Sequence, residues 1–523
     1  MMNNNRTPIY ISIAVVVGIV LGSFLDFPAG TVFPDGSKEA KIDRLISYIE
    51  DSYVDQVNVD ELLDGAIKEI LGELDPHSVY IPRDRIGAVR ENMQGNFVGI
   101  GVQFSVRKDT IVVSRPIEGG PSFAAGIRSG DRILMADSDT LYGKGLSSGD
   151  IVKRLKGEPD SPVALQVYRK ATNEQLEFDI RRGSIPIRSV PVYFMLTPDV
   201  GYLKLERFSR TSYNEFKGAL DFLQSRGMQT LVFDLRGNPG GYIDMATRIT
   251  DEFLPDNKLI VYTKDNKGTI ENDYATKYGD FEKQSVYVLI DEGSASASEI
   301  VSGALQDNDR GVILGRRSFG KGLVQQELDL GDGSAVRLTI ARYYTPSGRS
   351  IQKPYTEYED DYMSRYRSGE LFTRDSIHVV DSLKFTTPGG KVVYGGGGII
   401  PDVFVGMDTL RNKEFNAFFR RNVHEKIFEY VDANRFNLER WDLDEYMLMY
   451  TVPESVIEDY LVSNDVDDLS AEQVEMLEDY LKSLVGQQLF GDEGYYRMEA
   501  RSDLMIQKVL QLESEAGKDV LPL

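Results

Sequence analysis

Hydrophobic positions change their spacing several times along the chain, and each change marks a boundary. "PIYISIAVVVGIVLGSFLDF" (8–27) carries no charge before Asp26, and Arg6 lies just ahead of it. About 20 apolar residues span a bilayer. No small-x-small cleavage site follows, so a retained anchor is expected rather than a removed signal peptide. "IDRLISYIEDSYV" and "ELLDGAIKEILGEL" repeat at helical spacing, so 38–92 reads as helices, the second ending in the Pro turn of "LDPHSVYIP" (74–82). Short strands with Gly turns follow ("FVGIGVQFSV", "TIVVSRPI", "DRILMA", "VALQVYR", "LEFDIRR"), with two short helices between them. From 186 to 405 strands and helices alternate, which predicts an α/β layer with a partly parallel sheet.

The expected architecture is therefore multidomain α/β. It comprises an anchor at 1–30, N-terminal helices at 38–95, a small α+β domain at 96–183, an α/β core at 184–405 and a helical extension at 406–523. The polar stretch 353–390 reads as an inserted excursion from the core. The extension is expected to cap the core or to pair two copies of the chain, and an adaptor protein is a further expected partner.

Charge narrows the partners. Lys and Arg number 59 against 82 Asp and Glu, a formal −23. Nucleic acid wants a basic stripe and is excluded as a partner, and an anionic membrane surface is disfavoured. The chain has no cysteine, which removes disulfides, thiolate metal sites and cysteine nucleophiles.

Candidate chemistry centres on "DEGSASASEI" (291–300), with serines at 294, 296 and 298 between a buried strand ("SVYVLI") and an amphipathic segment. Strand, Gly turn and helix is the geometry that lifts a serine hydroxyl to a helix start. A serine nucleophile needs a base. His77, His378 and His424 are the only histidines, and each reads as a surface or turn residue. A lysine kept neutral by burial is the alternative. Lys321, between Gly320 and Gly322, fits that role, and Gln325 would share its face if "LVQQELDL" is a strand. "GRRSFGKG" (315–322) is one residue from a phosphate-binding loop. Gly322 replaces the metal-binding hydroxyl, and a strand follows where a helix is required, so nucleotide binding is set aside. "FDLRGNPGGYIDMA" (233–246) is a second strand–turn–helix, whose turn can offer backbone N–H groups to an oxyanion.

Taken together, "DEGSASASEI", "DLRGNPGG", "GRRSFGKGLVQ", "YYTPSGRSIQ" and "GGIIPDV" resemble the carboxyl-terminal processing peptidases, or tail-specific proteases (peptidase family S41). "LDPHSVYIP" and "GIGVQF … GGPSFAAGIRSGDRILMADSDTL" resemble that family's N-terminal turn and PDZ domain, over roughly 40–405 in all. The resemblance implies Ser296 as nucleophile, Lys321 as base and Gln325 as the residue that positions the lysine. It implies an oxyanion hole from Gly240 or Gly241 together with Ala297. It implies a serine endopeptidase acting near the C-termini of exported proteins, in the cell envelope outside the cytoplasm, with no metal or organic cofactor. A PDZ groove would hold the substrate's terminal carboxylate on the amides of Gly99, Ile100 and Gly101, and pair its strand from Val102 onward. The alternative is a catalytically silent PDZ scaffold that binds C-terminal peptides. The insertion at 353–390 and the tail after 405 depart from the family's pattern.

Overall fold

The computed structural model describes residues 38–517 apart from 171, 356–357, 359, 409–421 and 467–468. The apolar run at 8–27 lies outside the described residues. Among these, no helix is long and apolar enough to cross a membrane. The chain forms two units, 1–73 and 74–523. The first contains helices α1 (Lys38–Ser52) and α2 (Val59–Gly72). Asn58 caps α2 by accepting from the Glu61 amide.

The second unit starts with strand β1 (Val79–Ile81) and helix α3 (Arg83–Gln94). The PDZ-like sheet follows as an antiparallel array of Val102–Arg107, Thr110–Pro116, Asp131–Ala136, Pro162–Arg169 and Glu174–Arg181. Pro162–Arg169 alternates exposed and buried positions, as a half-covered sheet requires. Helix α4 (Ser148–Leu155) lies along this domain, capped by Ser147.

The core holds two sheets rather than one layer. Its main sheet runs Val192–Met195, Val200–Lys204, Thr230–Asp234, Ser285–Ile290, Val312–Gly315 and Val403–Phe404, parallel in all but the first pairing. Val200–Lys204 and Thr230–Asp234 are buried at every position, because both faces are covered. Helices α5 (Ser212–Ser225), α6 (Ile243–Asp251) and α7 (Ala297–Asp307) contribute buried residues to the cluster on one face. The second sheet is antiparallel. In it Ala335–Tyr344 pairs with Val79–Ile81, Leu259–Asp265 and Leu323–Asp329. Residues 79–81, within the stretch 74–82 that the sequence reads as a Pro turn, are thus a strand of the core.

The insertion is not an excursion. Its helix α8 (Asp361–Ser368) buries Arg365 against the core. The extension covers the other face of the parallel sheet. Helices α9 (Val423–Leu438), α10 (Ala471–Phe490) and α11 (Asp492–Glu499) lead to α12 (Leu504–Glu515). Met505, Ile506, Val509 and Leu510 pack on Val192, Phe194, Tyr202, Val232, Leu289 and Leu314. Glu513 accepts from Thr230 Oγ1 (2.6 Å) and Tyr287 OH (3.0 Å). The extension also grips the PDZ-like domain. Asp432 on α9 takes both Arg132 (2.7 Å) and Lys170 (2.7 Å).

Candidate active site

The two Gly turns meet because their strands are neighbours. Thr230–Asp234 and Ser285–Ile290 run parallel with Asp234 opposite Leu289, so the turns that follow emerge side by side at the carboxyl edge. The links between them are direct. Ala295 N donates to Asn238 O (3.0 Å), and Ser298 Oγ to the same carbonyl (2.9 Å).

The three alternating serines are not equivalent. Ser294 and Ser298 are fully buried, and their hydroxyls are spent on the carbonyls of Leu235 (2.8 Å) and Asn238. Ser296 alone is partly open. It stands at the start of α7 with φ +55° and ψ −110°. A side chain rarely adopts such a backbone, so the serine opens the helix from a strained turn.

Lys321 precedes the strand Leu323–Asp329 instead of lying on it, and a bulge follows between Val324 and Gln325. Strand alternation therefore does not bring Lys321 and Gln325 together; the loop and the bulge do. Lys321 Nζ donates to Gln325 Oε1 at 2.6 Å. Gln325 Nε2 donates to the carbonyl of His77. A carbonyl only accepts, so this contact fixes the amide with its oxygen toward the lysine. Asp75 holds the turn that presents His77 O, accepting from His77 N (2.8 Å), Ser78 N (2.9 Å) and Ser78 Oγ (2.7 Å).

Two buried groups tie the serine to the lysine. The Glu299 carboxylate, fully buried, accepts from Ser296 N and Lys321 N (2.8 Å each), Gly320 N (2.7 Å) and Ser318 Oγ (2.5 Å). The Tyr343 hydroxyl lies 3.0 Å from Ser296 O and 2.8 Å from Lys321 O and shares its proton between them. Among the described residues no hydrogen bond joins Lys321 Nζ to Ser296 Oγ. Burial, with the Arg337 cation adding to it, lowers the Lys321 ammonium from its ordinary value to about 8.

The sequence reading placed His77 among ordinary turn residues. It is in the turn, yet half-buried beside the lysine, with Nε2 2.6 Å from Tyr358 OH. Burial and the nearby Lys321 push its imidazole down to about 4, so it is neutral at pH 7. His378 and His424 are exposed. Of the two turn glycines, Gly240 has its N–H committed to Asn238 Oδ1 (2.8 Å).

At the PDZ-like domain, Gly99, Ile100, Gly101 and Val102 border a cleft of about 230 Å³ with Phe104, Val152 and Leu155. Gly101 has φ +76°, and the carbonyls of Ile100 and Gly101 are spent on Ser122 N (3.0 Å) and Ile117 N (2.9 Å). Lys156 stands at the same cleft, paired with Glu91.

Sequence reasoning assigned no role to Glu299, Tyr343 or the Asp75–His77 turn, although the quoted motifs "DEGSASASEI", "YYTPSGRSIQ" and "LDPHSVYIP" contain them. Glu299 also stands three residues after Ser296, as a capping-box acid does.

Known proteins place these features. Residues 199–362 match peptidase family S41, 98–180 the PDZ domain, and 31–85 the activating protease CtpB N-terminal domain. The carboxy-terminal-processing protease of Bartonella bacilliformis is 34% identical over 350 residues, 64% of this chain and 79% of that protein. The carboxy-terminal processing protease CtpB of Bacillus subtilis is 33% identical over 405 residues, 76% of this chain and 81% of that protein. Among solved structures, the photosystem II D1 C-terminal processing protease aligns with 28% identity and a TM-score of 0.37, over 71% of this chain and 87% of that one. A third of the residues shared over about four-fifths of such relatives assigns the chain to the carboxy-terminal processing proteases of family S41, serine-type peptidases with a PDZ domain.

Proposed function

We propose that this peptidase works through a Ser296–Lys321 dyad. The observation that carries the reading is the Glu299 carboxylate, which gathers the amides of Ser296 and Lys321 on one oxygen. The neutral Lys321 amine takes the proton from Ser296 Oγ as that oxygen bonds to the scissile carbonyl carbon. The resulting oxyanion receives the N–H groups of Gly241 and Ala297, since Gly240 has already given its own to Asn238. The lysine ammonium returns the proton to the leaving amine. Water, deprotonated by the same amine, then releases the acyl group. Gln325 holds the lysine in place throughout.

The pH profile tests the base. A lysine near 8 is neutral in roughly a tenth of molecules at pH 7, and the neutral fraction falls about tenfold per unit below that. Labelling of Ser296 by a fluorophosphonate should rise with pH and level off above about 8. A midpoint near 6.5 that moved with His77→Ala would assign the proton to the histidine and end the dyad reading.

Substrate tails are proposed to enter the PDZ cleft, carboxylate toward Gly99–Gly101 and strand against Val102. Charge-assisted bonds to amides are about twice as strong as neutral ones. Matched peptides ending in free Ala should therefore show higher kcat/KM than those ending in amidated Ala or in Asp. Equal values would mean that the cleft does not read the tail. The apolar run at 8–27 is proposed to anchor the chain with its catalytic part outside the cytoplasm, acting on exported proteins. Pairing of copies or binding of an adaptor through 406–523 would use the outward face of that extension, because its inner face is spent on the sheet and on Asp432's partners.

A further inference from the structure

Lys321 reaches the site on a loop, so something must set the curvature of that loop. Its amides at 320 and 321 face Glu299. The carbonyls just before them face the insertion. There α8 places Arg365, only 3% exposed. Its Nη1 donates to Arg317 O (3.1 Å) and Ser318 O (2.9 Å), and its Nη2 to Phe319 O (3.2 Å). One cation thus gathers three consecutive carbonyls while one anion gathers the next two amides. Asp361 (3.0 Å) and Glu370 (3.8 Å) lie near Arg365 Nε and keep its buried charge paired, and Glu370 also takes Arg317 on both oxygens at 2.6 Å. A planar fork of five donors suits several carbonyls at once; an ammonium is a point charge and does not.

We propose that Arg365 is a positioning residue for the catalytic lysine, contributed by the insertion and lying beyond the stretch 199–362 that matches the family. It acts through the loop and touches neither substrate nor the reacting atoms. The inference rests on Lys321 being the base.

The test uses the full chain with Arg365→Ala, Arg365→Lys and Lys321→Ala. Peptide kcat and KM are measured, with fluorophosphonate labelling against pH, with and without guanidinium well below denaturing concentration. A displacement of about 1 Å can cost about 10²-fold in rate. Arg365→Ala should lose kcat on that scale with KM little changed, and Arg365→Lys should fall between. Freeing the loop admits water to Lys321, which raises its pKa, so the labelling midpoint should move to higher pH. Guanidinium should restore part of the rate to Arg365→Ala and none to Lys321→Ala. A role confined to stability would lower the folded fraction and leave both kcat per folded molecule and the midpoint where they were. That result, or loss without rescue, overturns the proposal. If Arg365→Ala does not fold, Arg365→Lys decides by the same midpoint. A fully active Lys321→Ala would overturn the dyad reading instead.

Discussion

Ser296→Ala and Lys321→Ala are each expected to lower kcat/KM by about 10³-fold or more, and the double variant should be little worse. Members of one proton-transfer pair fail together, because neither performs a step alone. Each substitution shortens a side chain at a partly open position, so melting temperature should stay near that of the parent. His77→Ala supplies the contrast. It removes the imidazole and keeps the carbonyl that orients Gln325. Its activity should stay within about threefold, since general-base loss costs about 10²–10⁴-fold. Steady-state kinetics on one peptide, normalised to folded protein, decides both. A Lys321→Ala enzyme at parental rates, or a dead His77→Ala enzyme, would move the base elsewhere.

Gly240→Ala should come next, with a loss of about 10²-fold or more in kcat/KM. The residue has φ +100°, and an added Cβ would stand 2.8 Å from Ala295 O and 2.9 Å from both Ala297 N and Ser296 Cβ. Two of those neighbours are backbone atoms, and none is the end of a flexible side chain. The clash would push the serine turn from the glycine turn and displace the amide proposed to meet the oxyanion. Gly218→Ala is the control. That glycine lies in α5 with open space around it, and alanine should be neutral or stabilise by about 0.5–1 kcal/mol. Labelling rate and melting temperature for the two variants separate a local steric effect from general damage. Near-parental labelling of Gly240→Ala would sink the argument.

The parts of this structure that were legible in the sequence are those set by near neighbours. The run "SVYVLI" announced a buried strand, and "GSASAS" a turn into a helix. Which serine is uncovered was not legible from spacing, since all three alternate alike; the carbonyls of Leu235 and Asn238, some 60 residues away, consume two of them. The Lys321–Gln325 pairing was read through strand alternation and arises through a bulge, because a bulge leaves no periodic trace. The turn at 75–78 meets Gln325 across 248 residues, and no local pattern encodes such a contact. Arg365 was read as part of a polar excursion. Composition counts an arginine as polar whether it faces water or three carbonyls.

The placement of α12 has a consequence in time. Buried apolar side chains such as Met505, Ile506, Val509 and Leu510 contribute roughly 1.5–3 kcal/mol each, so together they match the whole stability of a typical domain. A chain ending at 405 would leave Tyr202, Leu289 and Leu314 open to water. During synthesis, Lys321 leaves the ribosome about 190 residues before Glu513. The growing polypeptide therefore carries the proposed Ser296–Lys321 pair on a sheet that is still open on one side. Covering of that face waits for α12, so the order of translation sets the strands of the parallel sheet ahead of the helix that shields them.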